Sequence, residues 1–115
     1  MNDHKELTGM STRQLLARRR RLASRFGDVE RVLAGSLVEQ TRRCGKPGCR
    51  CAEGAPHGPY AYFSPRPQGR GRAKYVPASL VALVRGYLQR GSDIEAVLAQ
   101  ISAINGELLA RRELS

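Results

Sequence analysis

Tryptophan is absent from these 115 residues, and two Phe and four Tyr hold the aromatic share to 5%. Any core must therefore be mostly aliphatic. No run approaches the roughly 18 apolar residues of a membrane span, and the opening MNDHKELTGM lacks the basic-then-apolar layout of a secretory signal. The expected compartment is the cytoplasm, with no membrane partner. Cysteines number only three, an odd count that argues against a disulfide framework and leaves reduced thiols or metal ligands. Paired carboxylates, a phosphate-binding glycine loop and an H-E-x-x-H signature are all missing. No catalytic residue is assigned, and an enzyme is not expected.

Acid is also scarce: 20 Lys and Arg face 10 Asp and Glu, a formal charge of +10. Polyanions become the first partner to consider. Residues 42–74 carry Arg42, Arg43, Lys46, Arg50, Arg66, Arg70, Arg72 and Lys74 against the single acid Glu53. A second basic block, Arg18 to Arg21 flanked by Arg13 and Arg25, has no acid from Ser11 to Gly27. Four consecutive residues wrap a full helical turn and cannot all face one phosphate ribbon, so this block adds to the steering field rather than forming a site. The C-terminal third is nearly balanced.

The first ten residues read as a disordered tail, and residues 11–115 as a single small domain with a helix over 11–34, a Cys/His loop and sheet over 35–77, and a helix over 78–113. Leu15, Leu22, Phe26, Val29 and Leu33 fall on one helical stripe, with Gly27 a weak point where the helix can kink or break. SLVEQTRR reads as a strand, PYAYFS alternates Tyr60, Tyr62 and Ser64 against Ala61 and Phe63, and AKYVP closes a hairpin. Leu80, Leu83, Tyr87, Arg90, Ile94, Val97, Ile101, Ile104 and Leu108 keep a heptad register through Gly91-Ser92-Asp93, favouring one long helix over two. The expected fold is α+β: an N-terminal helix, a small three-stranded antiparallel sheet with a Cys/His loop, and a long C-terminal helix pairing as a coiled-coil hairpin. Val84, Leu88, Leu98 and Leu109 are surplus to the register; they leave room for a homodimer or cover the sheet.

Cys44, Cys49, Cys51 and His57 run C-x4-C-x-C-x5-H. Three thiolates and an imidazole are an ordinary structural zinc set, and Gly45, Pro47 and Gly48 supply a tight turn between the first two. Arg42, Arg43, Lys46 and Arg50 would offset the charge of such a centre. The spacing departs from the commoner C-x2-C pairs, so three reduced thiols remain an alternative to zinc, and a redox or nucleophilic cysteine a weaker one for want of a base held by a third group. A chain this short, which buries only about 60–70% of its unfolded surface, gains from a clip of this kind.

Over GSLVEQTRRCGKPGCRCAEGAPHGPYAYFSPRPQGRGRAKYVP, residues 35–77, the chain resembles an uncharacterised group of small prokaryotic and phage proteins with a CGKPxCxC loop, then HGPY, a tyrosine strand and a basic strand ending in Y-V or Y-I. Cys44, Cys49, Cys51, His57, Gly58, Pro59, Tyr60, Tyr62, Tyr75 and Val76 match that hallmark; Ala61 stands where members often carry a third aromatic. Similar segments often lie beside, or fused to, transposases and recombinases. The resemblance thus implies DNA-associated, mobile-element work and a recombinase or transposase partner.

These readings converge on a nucleic-acid-binding module, DNA more than RNA. Phosphate contacts would come from Arg42, Arg43, Lys46, Arg50, Arg66, Arg70, Arg72 and Lys74, with Tyr60 and Tyr62 among them for stacking. The competing expectation turns the tyrosines toward the core and makes the arginines a solvated rim. A second function reading is a protein-interaction adaptor that dimerises or docks through the heptad helix.

Overall fold

A computed structural model describes residues 3–43, 45–50, 54–66 and 72–115. The elements run α1 (Asp3–Thr8), α2 (Thr12–Ala23), β1 (Gly35–Arg42), β2 (His57–Pro65), β3 (Lys74–Val76), a 3-10 turn Ala78–Leu80, and α3 (Val81–Ala110). This is the expected α+β order of helix, antiparallel sheet and long helix. Two compact units divide the chain: Met1–Glu30 with Ser92–Ser115, and Arg31–Gly91.

In the helical unit, Ser11 caps α2 with a reciprocal pair: Gln14 N donates to Ser11 Oγ at 3.1 Å, and Ser11 N donates to Gln14 Oε1 at 2.8 Å. Leu15 and Leu22, seven residues apart, are buried with Val97, Ile104 and Leu108 of α3 and with Leu7 of α1. Arg111 reaches Thr12 while Arg19 donates to Asn105 Oδ1 at 2.9 Å, so α2 and this part of α3 run antiparallel. The paired helices of the expected hairpin are thus present here. The expected disordered tail is corrected: residues 3–8 are helical, Leu7 is buried, and Arg111 Nη2 donates to the Leu7 and Thr8 carbonyls at 3.2 and 3.3 Å. The Leu7 carbonyl also accepts from Met10 N at 3.1 Å, so Arg111 adds a second bond there and supplies a donor to the Thr8 carbonyl at the helix end.

The helix expected over 11–34 is corrected as well, since α2 ends at Ala23. Gly27 takes φ +57, a left-handed conformation that turns the chain out of any helix. Phe26 still packs on the helical core, whereas Val29 is 55% exposed. Leu33 joins the sheet cluster of the other unit.

The sheet has order β1-β2-β3, antiparallel throughout, with Leu37 opposite Phe63, Val38 opposite Tyr62, Ala61 opposite Val76, and Tyr62 opposite Tyr75. Side chains alternate across a strand, so one face carries Leu37, Ala61, Phe63 and Val76. That face packs under Leu33, Val81, Val84 and Leu88. Val84 and Leu88, surplus to the heptad register, therefore cover the sheet. Gly35 begins β1 rather than ending a helix; with φ +152, an added Cβ there would sit 2.1 Å from the Ser64 carbonyl oxygen.

α3 runs unbroken through Gly91-Ser92-Asp93, as the register requires. The glycine has a packing cause. The Leu33 carbonyl oxygen lies 2.3 Å from where a Cβ on Gly91 would stand, and Leu33 N donates to the Tyr87 carbonyl at 3.1 Å. Arg90 Nη1 donates to the Arg31 carbonyl. Among the described residues, no helix is long and apolar enough to cross a membrane.

Candidate nucleic-acid interface and Cys/His loop

Alternation in β2 that buries Ala61 and Phe63 sends Tyr60 and Tyr62 to the opposite face of the sheet, where Tyr75 of β3 joins them. Tyr75 stands 5.8 Å from Tyr62 and 6.5 Å from Tyr60 between ring centroids, edge to face at 65° and 62°. Such pairs are worth about 0.5–1.5 kcal/mol each. Arg42, at the end of β1, lies with its guanidinium carbon 5.6 Å from the Tyr60 centroid and 5.9 Å from that of Tyr62, and donates to the Tyr62 hydroxyl. Tyr75 is 55% exposed and Tyr60 and Tyr62 are half-buried. The core-facing alternative for the tyrosines does not hold. Ala61 points into the core at 8% exposure and so leaves no gap in this cluster.

The other basic residues of the expected interface are placed less uniformly. Arg43 is exposed and donates to the Gly54 carbonyl at 2.9 Å, bracing the loop that follows β1. Lys46 and Arg50 are exposed within that loop. Arg66 and Arg72 are exposed beside the ends of β2 and β3. Lys74 sits opposite Phe63, on the parity of the core face, and does not join the tyrosines. Arg70 lies outside the described residues. The structure thus gathers Arg42, Tyr60 and Tyr62 with Tyr75, and arrays Arg43, Lys46, Arg50, Arg66 and Arg72 elsewhere on the exposed surface of the same unit.

Of the arginine run in α2, Arg18 pairs with Glu6 at 3.0 Å and Arg19 donates to Asn105 and to the Ser115 carbonyl. Arg20 and Arg21 occupy the last turn of the helix, where the dipole favours cations. Local roles account for the run. The 410 Å³ recess of the helical unit, bounded by Leu7, Gln100, Ala103 and Ile104, has this Arg18–Glu6 pair as its charged lining among the described residues. A smaller recess of 110 Å³ opens in the sheet unit beside Pro59, Tyr60 and Tyr75.

The Cys/His loop springs from the paired ends of β1 and β2, where Arg42 is opposite His57 across a register shift. Lys46 to Cys49 form a turn closed by Cys49 N donating to the Lys46 carbonyl at 3.2 Å, with Pro47 second and Gly48 third at φ +78. That is the chemistry of a type II turn. It sets Cys49 Sγ 3.2 Å from His57 Nε2. The S–N edge of a tetrahedral zinc site with bonds of about 2.3 and 2.0 Å measures about 3.5 Å, so a shift of about 0.3 Å would let this pair share an ion. The remaining two expected ligands, Cys44 and Cys51, lie outside the described residues, and among the described residues no group of three or more ligands forms. Thiol and imidazole nitrogen at this distance also make an ordinary hydrogen bond.

Tyr75, which pairs with Tyr62 across β2 and β3, completes the cluster. No curated protein and no solved structure matches the chain. Residues 12–86 match a domain of unknown function, DUF6788, a span that takes in α2, the whole sheet and the start of α3. With well over half of its length inside that match, the chain belongs to the DUF6788 family.

Proposed function

We propose that this protein is a small basic nucleic-acid-binding module, acting on DNA in the cytoplasm as an accessory to a mobile-element or recombination system, with a zinc ion clipping the Cys/His loop. The observation that carries the reading is the tyrosine–arginine cluster on the sheet face turned away from the core. A net charge of +10 supplies the long-range attraction, and Arg43, Arg66 and Arg72, exposed elsewhere on the same unit, supply phosphate contacts. The mobile-element setting rests on the resemblance of residues 35–77 alone. No catalytic residue is proposed. Zinc would be held by Cys49 and His57 with Cys44 and Cys51, and its role would be to staple the β1–β2 stem.

The test is binding of a labelled DNA across a salt series. Each phosphate neutralised contributes about −0.9 to the slope of log affinity against log salt on duplex DNA. Affinity that falls steeply between 50 and 200 mM salt, with Arg70, Arg72 and Lys74 changed together to Ala reducing both affinity and slope, supports the reading. Absence of binding at low salt refutes it.

A second reading is a protein-interaction adaptor or homodimer. It is favoured by Leu83, Leu98 and Leu109 of α3, each more than half exposed. Sedimentation that shows a concentration-dependent dimer, abolished by Leu98→Glu, would support it.

A further inference from the structure

We infer that the outer face of the sheet takes unpaired nucleic-acid bases, stacking them on Tyr75 and on the Arg42 guanidinium, so that the ligand is a single-stranded segment rather than a duplex. The inference deepens the nucleic-acid reading and rests on it.

Geometry argues for the unpaired strand. Bases in one strand of a duplex stack about 3.4 Å apart. Here neighbouring ring centres are 5.8 and 6.5 Å apart and inclined by 65° and 62°. Parallel bases at duplex spacing cannot lie flat on surfaces so arranged. Bases splayed from a flexible single strand can, each meeting its own plane, as they do on the aromatic sheets of single-strand binders. Tyr75, more than half exposed, offers a ring to solvent. Arg42, an exposed residue, lies over Tyr60 and Tyr62, and its planar guanidinium both offers a face for stacking and carries charge for a phosphate.

The face is also too short and flat for a groove. β3 has three residues, so the ribbon it forms with β2 offers only three cross-strand pairs. Of these, Ala61–Val76 and Phe63–Lys74 belong to the core side, leaving the single pair Tyr62–Tyr75 outward. A two-stranded ribbon entering a major groove must present several polar side chains to base edges. On the β2–β3 ribbon the outward set is Tyr60, Tyr62, Ser64 and Tyr75, three rings to one short hydroxyl; β1 adds Ser36, Val38 and Gln40 to the same face.

The experiment measures the full-length protein against a fluorescein-labelled 12-nucleotide dT oligomer, an rU oligomer of equal length, and a duplex of equal length, each over the same salt series from about 50 to 200 mM. The expected result is affinity for the single strands about 10-fold or more above that for the duplex. Tyr75→Ala should weaken single-strand binding about 5- to 100-fold, the range for losing a stacking ring, while leaving duplex affinity and its salt slope unchanged. Tyr75→Phe should retain wild-type binding because the ring, not the hydroxyl, is used. Arg42→Lys, which keeps the charge and loses the plane, should weaken single-strand binding without altering the salt slope. Tyrosine emission, not masked by any tryptophan, should fall on adding dT and not on adding duplex. Equal or tighter duplex binding, or a Tyr75→Ala loss of the same size on both ligands, overturns the single-strand inference while leaving a nucleic-acid module standing. No binding to any of the three removes both.

Discussion

Three glycines of α3 form a controlled comparison. Gly86 and Gly106 have no atom within 4 Å of an added Cβ, whereas at Gly91 that atom would meet the Leu33 carbonyl oxygen at 2.3 Å and its carbon at 3.2 Å. Alanine gains about 1 kcal/mol over glycine in a helix interior, so Gly86→Ala and Gly106→Ala should each stabilise the protein by about 0.5–1 kcal/mol. Gly91→Ala earns the same local gain but must push the carbonyl back by about 1 Å to reach an ordinary carbon–oxygen contact of about 3.3 Å.

That retreat pulls on the Leu33 N–H bond to the Tyr87 carbonyl and on the Arg90 bond to the Arg31 carbonyl. It also lifts Leu33 from the sheet cluster. A lost hydrogen bond is worth about 0.5–1.5 kcal/mol, and overpacking typically adds 1–3 kcal/mol. The net expectation for Gly91→Ala is a loss of about 1–3 kcal/mol. Thermal denaturation followed by helical circular dichroism should therefore show opposite signs: a rise of about 2–4 °C for the outer two glycines and a fall of about 4–12 °C for Gly91, at about 4 °C per kcal/mol. A Gly91→Ala protein that melts at or above wild type would refute the claim that backbone crossing, and not chance, keeps this glycine.

Ser11→Ala removes the Gln14 N–Ser11 Oγ bond of the α2 capping box, keeps the Ser11 N–Gln14 Oε1 bond, and should cost about 1 kcal/mol, read as a drop of about 4 °C; no drop would mean that the serine side chain contributes nothing to the helical unit. The reduced, purified protein should contain one zinc per chain, with thiols that react only after a strong chelator strips the metal. Cys49→Ser and His57→Ala should each lower the metal content, and three thiols that label fully in the native protein would sink the zinc clip.

Strong periodicity was the legible part of the fold. Heptad spacing in 80–108 outweighed the local Gly-Ser-Asp signal, because a buried stripe at Val97, Ile104 and Leu108 stabilises a helix more than one glycine weakens it. Period-2 alternation in β2 likewise separated Phe63 from Tyr60 and Tyr62. What sequence did not give was the end of α2 at Ala23, since Phe26 continues the stripe in packing though not in helix. Nor did it give the ordering of residues 3–8, which depends on Leu7 and on Arg111, more than a hundred residues away along the chain. Long-range partners of that kind leave no local signature. Arg42, Tyr60 and Tyr62 were readable as neighbours once the strand register was supposed; the opposite placement of Lys74 follows only from the observed pairing with Phe63.

Placement of the aromatics bears on the functional reading. The chain has six aromatic rings, and the sheet core uses just one, Phe63, alongside aliphatic partners. Three others, Tyr60, Tyr62 and Tyr75, stand on the face turned to solvent. Stability alone does not ask for this. Apolar area stabilises by about 25 cal/mol per Å² only when it leaves water, and threonine also suits a solvated strand face without exposing a ring. Tyrosine is instead the residue that binding surfaces favour, having a large rigid ring and a polar tip that tolerates water in the free state. On the proposed reading, a chain so short of aromatics sets half of them beside an arginine on its outer face because a ligand covers that face.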